Sequence, residues 1–263
     1  MQADLTYKQQ LLDRFNQPHY RLLRTLGLFD TVRSFNRWYY RVKCERRALR
    51  GQGLVPENEL RAVFRDAIIR LQSLDPGQPL GDYMEFGVAF GSSMACMHEA
   101  LVETGNRDMR LFGFDSFEGL PPEADEEHEH GWFSGQIQSS LEFAKKLLTR
   151  RGVDWKRTHL IKGWFKDTLN DDLRDGYEIQ RVSIIMIDSD LYSSAVEVLA
   201  FCEPLMGRHT IILFDEWNAG GIAERNAGEK RAFDEFMARH PEYTAEPLKS
   251  YQDDAAVFLL TKG

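Results

Sequence analysis

The stretch RVSIIMIDSDLYSSA, residues 181–195, decides the fold. Its run VSIIMI reads as a buried strand, since a short apolar run rich in β-branched residues suits a strand covered on both faces. The strand ends in Asp188 and Asp190 around one serine, and Val196, Leu199 and Ala200 then form the apolar face of a following helix. Acids at such a junction have two readings. They cap the helix, or they stand outside the carboxyl end of a strand, where open α/β sheets bind ligands.

The segment TIILFDEWNAGG, residues 210–221, repeats the arrangement and ends its apolar run in Asp215 and Glu216. Neighbouring strands that end in carboxylates at one edge concentrate negative charge, which a cation or a proton-transfer task offsets. Oxygen donors of this type favour Mg²⁺ or a similar hard ion. Asp190 keeps the helix-start role.

Upstream, YMEFGVAFGSSMACM, residues 83–97, carries Glu85 on a strand, Gly87 and Gly91 framing a turn, and Ser92 and Ser93 opening a helix. Glycines let the backbone turn sharply and approach a ligand, and the helix N-terminus offers N–H groups to an anion. The spacing departs from the G-x-G-x-x-G of a dinucleotide site, which weighs against a nicotinamide-dependent oxidoreductase. A cofactor bearing a carboxylate suits the turn, with Glu85 beneath it to receive an amine. In LFGFDSFEGLPP, residues 111–122, Asp115 occupies the strand-end position that accepts ribose hydroxyls in doubly wound folds. Past a third strand, Gly163, Trp164 and Phe165 offer rings that stack on an adenine or close the core.

Working outward, strands are expected at 83–88, 111–115, 159–162, 182–187, 210–214, 243–247 and 255–261. Helices fall between them near 92–105, 137–151, 167–174, 194–205 and 229–239. Strands alternating with helices predict an α/β protein with a doubly wound, mostly parallel sheet, its last pair an antiparallel hairpin. Residues 1–78 read as a helical arm or cap, broken near Pro18, Gly27 and the GQGLVP of 51–56, and residues 79–263 as the sheet domain. In the helix at 57–74, Leu60, Val63, Phe64, Ala67, Ile68 and Leu71 form one buried face.

The net charge of −8 excludes general nucleic-acid binding. It is unevenly spread: residues 14–50 hold ten basic residues against Asp30 and Glu45, interleaved with Phe35, Trp38, Tyr39 and Tyr40. That mixture suits a helical arm packed on its own domain or on a second copy in a homo-oligomer, or contact with an anionic membrane surface or substrate. The start lacks a secretory pattern and no apolar run is long enough to span a bilayer, so a cytoplasmic protein is expected. Cys44, Cys96 and Cys202 are too few and scattered for a disulfide framework or zinc site. The polar run EADEEHEH, residues 123–130, reads as a mobile surface loop or a lid; in and just after it His128, His130, Trp132 and Phe133 either meet substrate or are exposed loop residues.

Taken in order, EFGVAFG (85–91), GFDSFEGLP (113–121), KGWFKDTL (162–169), IDSDLYSS (187–194), FDEW (214–217) and GEKRAFDEF (228–236) resemble the macrocin O-methyltransferase (TylF/MycF) family of class I S-adenosylmethionine-dependent methyltransferases. The resemblance covers about residues 80–262. It implies a Rossmann-like class I methyltransferase fold that uses S-adenosylmethionine and a divalent metal, usually Mg²⁺, to methylate a hydroxyl of a sugar or glycosylated metabolite. Carried onto this sequence, Glu85, Gly87, Gly91 and Ser92 hold the methionine part of the cofactor. Asp115 takes the ribose, and Ser116, Trp164 and Phe165 are further cofactor-binding candidates. Asp188, Asp215 and Glu216 become the metal site, with Asp188 as catalytic base. The family usually has two aspartates where this chain has Asp215 and Glu216, so the second carboxylate is displaced by a methylene. A non-catalytic relative acting as an assembly or glycan-binding module is the remaining alternative.

Overall fold

The computed structural model describes residues 26–127 and 134–263. Pro18 and the lid residues His128, His130, Trp132 and Phe133 lie outside the described residues. Two helices come first, α1 (Phe29–Ala48) and α2 (Glu57–Leu74). There follow β1 (Asp82–Phe86), α3 (Ser92–Glu103), β2 (Leu111–Asp115), α4 (Ala124–Glu127), α5 (Leu141–Arg150) and β3 (Thr158–Lys162). The chain continues through α6 (Phe165–Thr168), α7 (Asp171–Gly176), β4 (Val182–Ile187), α8 (Tyr192–Cys202) and β5 (Met206–Phe214). It closes with α9 (Gly228–Arg239), β6 (Tyr243–Leu248) and β7 (Ala256–Lys262).

The seven strands form one sheet in the order β3-β2-β1-β4-β5-β7-β6. Pairings from β3 to β5 are parallel, whereas β7 runs antiparallel to both β5 and β6. The chain winds outward from β1 to β3, then returns to lay β4 on the other side of β1. That reversal opens a crevice at the carboxyl ends of β1 and β4.

Strand residues alternate between two cores. Tyr83, Ile184, Met186, Ile211 and Leu213 face α2 and α3, while Met84, Phe86, Ile185, Ile187, Ile212 and Phe214 face α8 and α9. The α2 residues predicted to be buried are the ones that are. They join Tyr83 and Met94 in the first core, with Phe64 and Tyr83 edge to face at 5.5 Å.

Several boundaries differ from the sequence expectation. Helix α5 starts at Leu141 instead of near 137, because Ser140 is its cap and accepts from Phe143 N at 3.1 Å. The helix expected at 167–174 is two short ones, the second capped by Asn170, which accepts from Leu173 N at 2.9 Å. Strand β5 begins four residues early, at Met206, across the half-exposed GRH that hides its alternation.

Candidate active site

Register builds the site. Phe86 pairs with Phe114 on one side and with Ile187 on the other, and Ile187 pairs with Phe214. The next residues, Asp115, Gly87, Asp188 and Asp215, therefore form one row across the carboxyl ends of β2, β1, β4 and β5. The row is stitched by Gly87 N to Phe114 O at 2.9 Å, Asp188 N to Phe86 O at 2.9 Å and Asp215 N to Ile187 O at 3.0 Å.

On the β1 side the turn 87–91 is left-handed at both glycines, with φ +101° at Gly87 and +87° at Gly91. A Cβ on Gly87 would stand 1.8 Å from Asp188 O, so no other residue fits between the two strand ends. Gly91 is the N-cap of α3, and Ser92 follows, nine-tenths buried with its Oγ unpartnered. Asp115 closes the turn from β2: Oδ2 accepts from Ala89 N at 2.7 Å and Oδ1 from Phe117 N at 2.5 Å. Burial raises the Asp115 pKa even so, the backbone donors at Ala89, Phe117 and Val88 opposing it. Ser116 is buried and braces the following loop through Gly119 O at 2.9 Å.

Glu85 lies one turn of the pleat below this row, fully buried. It accepts from Tyr83 Oη at 2.5 Å and from Ser93 Oγ at 2.7 Å. Burial pushes its pKa up to about 7, against the lowering effect of those two hydroxyls. Of the predicted aromatic pair, Phe165 packs edge-on against Phe86 at 5.7 Å in the second core. Trp164 is half-buried at the N-cap of α6, just past Gly163, whose N–H donates to Asp115 O at 3.0 Å.

On the β4 and β5 side, Asp188, Asp215 and Glu216 each bring a carboxylate oxygen to a common point, all within 4.8 Å of one another. Asp188 is half-buried; Asp215 and Glu216 are buried. Three convergent carboxylates in so small a volume fit a hard divalent cation. Tyr251 Oη at 2.5 Å and Gln252 Nε2 at 3.0 Å both donate to Asp215 Oδ1, fixing that carboxylate from the β6–β7 connection. Burial holds the Tyr251 phenol well above its ordinary pKa, with Asp215 adding to the effect, so it remains a donor.

The sequence reading missed Glu229. It lies in the quoted GEKRAFDEF, where an acid in the first turn of a helix reads as an ordinary complement to the helix dipole. In the fold it is fully buried and reaches Ser189 N at 3.3 Å and Glu216 N at 3.1 Å. Its pKa is raised well above the usual value, first by burial and then by Asp188, Asp215 and Asp190.

Asp190 does not cap α8. The N-cap is Leu191, which has no side-chain cap, and Asp190 sits at φ +65° before it. The first N–H groups of the helix, on Tyr192 and Ser193, donate to the Glu127 carboxylate at 3.0 and 3.2 Å. A residue distant in sequence thus does what the local acid was expected to do, and it docks α4 beside the crevice.

The fold, a mostly parallel seven-stranded sheet with an antiparallel end, is shared with class I O-methyltransferases. The structure of the O-methyltransferase NovP superposes with a TM-score of 0.64 at 20% identity, over 83% of this chain and 88% of that one. The calicheamicin methyltransferase CalS11 gives 0.59 at 21%, over 96% and 91%. The sequence model of the macrocin-O-methyltransferase (TylF) family matches residues 64–258, and the chain belongs to that family.

Among its relatives is the 8-demethyl-8-(2,3-dimethoxy-alpha-L-rhamnosyl)-tetracenomycin-C 4'-O-methyltransferase of Streptomyces olivaceus. It is 31% identical over 146 residues, 52% of this chain and 53% of that protein. The mycinamicin III 3''-O-methyltransferase of Micromonospora griseorubida is 25% identical over 153 residues, 55% and 58% of the two chains. The match thus spans little more than half the length of each relative. The family match begins at residue 64 instead of about 80, within α2, whose apolar face completes the core against β1.

Proposed function

We propose that the protein is a metal-dependent O-methyltransferase that moves the methyl group of S-adenosylmethionine to a hydroxyl of a sugar or glycosylated metabolite. The observation that carries this reading is the single row in which the glycine turn and Asp115 meet the acid cluster of Asp188, Asp215 and Glu216. The two relatives named above methylate sugar-bearing molecules, which supports the acceptor class.

In this reading Asp115 receives the ribose. Its carboxyl oxygens are already oriented by the Ala89 and Phe117 N–H groups and have further lone pairs to offer. Ser92 Oγ and the N-terminus of α3 receive the cofactor carboxylate, with Gly87 and Gly91 giving the backbone its close approach. Glu85 and Ser116 act from behind, holding the turn and the loop, and Trp164 flanks the adenine with Phe165 fixed beneath it. Asp188, Asp215 and Glu216 would hold Mg²⁺, which supplies Lewis acidity that lowers the acceptor hydroxyl's pKa. Asp188, the most exposed of the three, takes the hydroxyl proton as the oxygen attacks a methyl carbon held in line and the methyl carbon–sulfur bond breaks, releasing S-adenosylhomocysteine. Buried Asp215 and Glu216 serve as anchors.

The arm has a second role in this proposal. The last turns of α1 pack Cys44 and Ala48 against Phe90, Phe143 and Leu147, while Phe35, Trp38 and Tyr39 are 61%, 51% and 49% exposed. Residues 14–50 carry a surplus of eight positive charges and the rest of the chain a net −16. The arm of one copy therefore complements the body of another, which favours a homo-oligomer over membrane-surface contact. No helix among the described residues is long and apolar enough to cross a membrane. The three cysteines are buried thiols, as suits a cytoplasmic enzyme.

The test is calorimetric titration of metal-stripped protein with S-adenosylhomocysteine, then with Mg²⁺, followed by a sugar-acceptor screen read by mass spectrometry. Binding of both with a methylated product supports the proposal. Binding of the cofactor product without any Mg²⁺ response removes the metal, and absence of all three returns the chain to a non-catalytic module.

A further inference from the structure

Beyond Phe86, Ile187 and Phe214 the sheet stops, and the two loops that carry the acid cluster leave it side by side. The last ladder bond between them is Asp215 N to Ile187 O, 3.0 Å. One residue further along each loop, Ser189 N and Glu216 N point at a third element. Glu229, from the first turn of α9, puts Oε1 on Ser189 N at 3.3 Å and Oε2 on Glu216 N at 3.1 Å. One carboxylate thus spans both loops. It reaches them because Ala227 is extended and Gly228 sits at φ +57°, turning the helix start into the core.

This placement is expensive. A fully buried carboxyl group stands between the two acid-bearing loops with no cationic partner among the described residues, and an apolar residue would fill the volume without the cost of desolvating it. What an apolar residue lacks is two acceptors at a fixed separation. The N–H groups it would strand belong to Glu216, itself in the cluster, and to Ser189, next to Asp188.

We propose that Glu229 is a positioning residue that sets the spacing of Asp188 and Glu216, and through it the affinity of the cluster for a divalent cation. The proposal rests on the metal reading given above. Outer partners that orient a ligand typically change metal affinity ten- to a hundred-fold on removal. Here the partner acts on main chain, so it holds two ligands at once. It also offers a means of accommodating the longer Glu216, since the backbone that carries the extra methylene is pinned.

Two variants separate reach from charge. Glu229→Gln keeps the reach and one acceptor but turns an amide toward one N–H; Glu229→Asp keeps the carboxyl group but is too short to span both. Each is measured without metal, by hydrogen exchange of the amides of 188–190 and 215–217 against those of Ile185 and Leu213, and by Mg²⁺ titration with S-adenosylhomocysteine bound. The expected result is faster exchange confined to the two loops and Mg²⁺ affinity about ten-fold weaker or more in both variants, with S-adenosylhomocysteine affinity unchanged. Unchanged exchange, or equal Mg²⁺ affinity in parent and variants, overturns the role of Glu229 and leaves the metal site standing. Loss of affinity in the Gln variant alone overturns it in favour of a charge effect. A parent that binds no divalent ion overturns the metal reading and this one together.

Discussion

Gly87 and Asp188 meet backbone to backbone: a Cβ built on Gly87 would lie 1.8 Å from the Asp188 carbonyl oxygen. The glycine turn and the acid cluster are therefore not two sites that share a cleft but two sides of one contact. Gly87→Ala adds that collision to the strain of a side chain at φ +101°. It is expected to destabilise the chain by more than about 4 kcal/mol, the range reserved for backbone clashes and core disruption. Urea unfolding of the variant beside Gly91→Ala checks it. Gly91 has comparable φ strain but meets only the flexible Leu148, at 3.2 Å, and should be hurt less.

Asp188→Asn leaves the row of strand-end backbone intact, because its N–H bond to Phe86 O is unaffected. S-adenosylhomocysteine affinity should stay within about two-fold of the parent, while methyl transfer falls on the order of 10²-fold or more, as for loss of a general base. Titration and single-turnover assays measure the two separately. Undiminished transfer would take Asp188 out of the chemistry.

How much of this was legible in the sequence depends on where each partner lies. Strands β2 and β4 were bounded to the residue because apolar runs end abruptly at Asp115 and Asp188. The buried face of α2 followed from its period alone. The convergence of Asp188 with Asp215 and Glu216 was legible as two similar strand ends, since parallel neighbours end at the same edge. The roles of Glu229, Glu127 and Tyr251 were not. Each acts on a residue from 13 to 66 positions away, and the local sequence around each offers a sufficient ordinary reason for its residue type. Asp190 failed in the reverse sense. Its local fitness as a cap was real, but Glu127 occupied the N–H groups first.

Glu85 gives the fold a predictable pH response. Its folded pKa is raised from 4.5 to about 7, so the folded chain keeps a proton that the unfolded chain has released through that window. The associated stability is complete below the unfolded value and is lost as pH rises through about 7, a difference of roughly 3 kcal/mol at 1.36 kcal/mol per unit. Glu85→Gln keeps both contacts, since the Tyr83 and Ser93 hydroxyls can donate or accept. Urea midpoints of parent and variant at about pH 5 and about pH 8 should show the parent losing stability across the interval and the variant losing less. Parallel curves would remove Glu85 as the source.

The exposed stripe on α1 predicts assembly. Replacing Phe35 and Trp38, both more than half exposed, with serine should leave the single chain folded, with any fall in the unfolding midpoint no larger than the lost association accounts for. Surface substitutions of this kind fall within about 0.5 kcal/mol. It should also lower the mass seen by light scattering to that of one chain, and added salt should act in the same direction on the parent. A parent that is already monomeric defeats the idea. Vesicles containing anionic lipid then become the next probe.

Arg151 links the arm's connection to the glycine turn. Its guanidinium bridges Glu57 at 2.9 Å and Glu99 at 2.7 Å, and Glu57 in turn accepts from Gly53 N at 3.3 Å. Gly53 lies against Ser92 so tightly that a Cβ there would stand 2.7 Å from Ser92 Oγ. The network thus presses the 51–56 connection onto the N-terminus of α3. Arg151→Met leaves two partly buried carboxylates facing each other and should cost about 1–3 kcal/mol, less than for a fully buried pair because water still reaches the site. It should also weaken S-adenosylhomocysteine binding several-fold, because the loop that covers Ser92 loses its tether, whereas Arg151→Lys should recover part of both. If thermal unfolding shifts while affinity does not, the network holds the helices together and leaves the glycine turn alone.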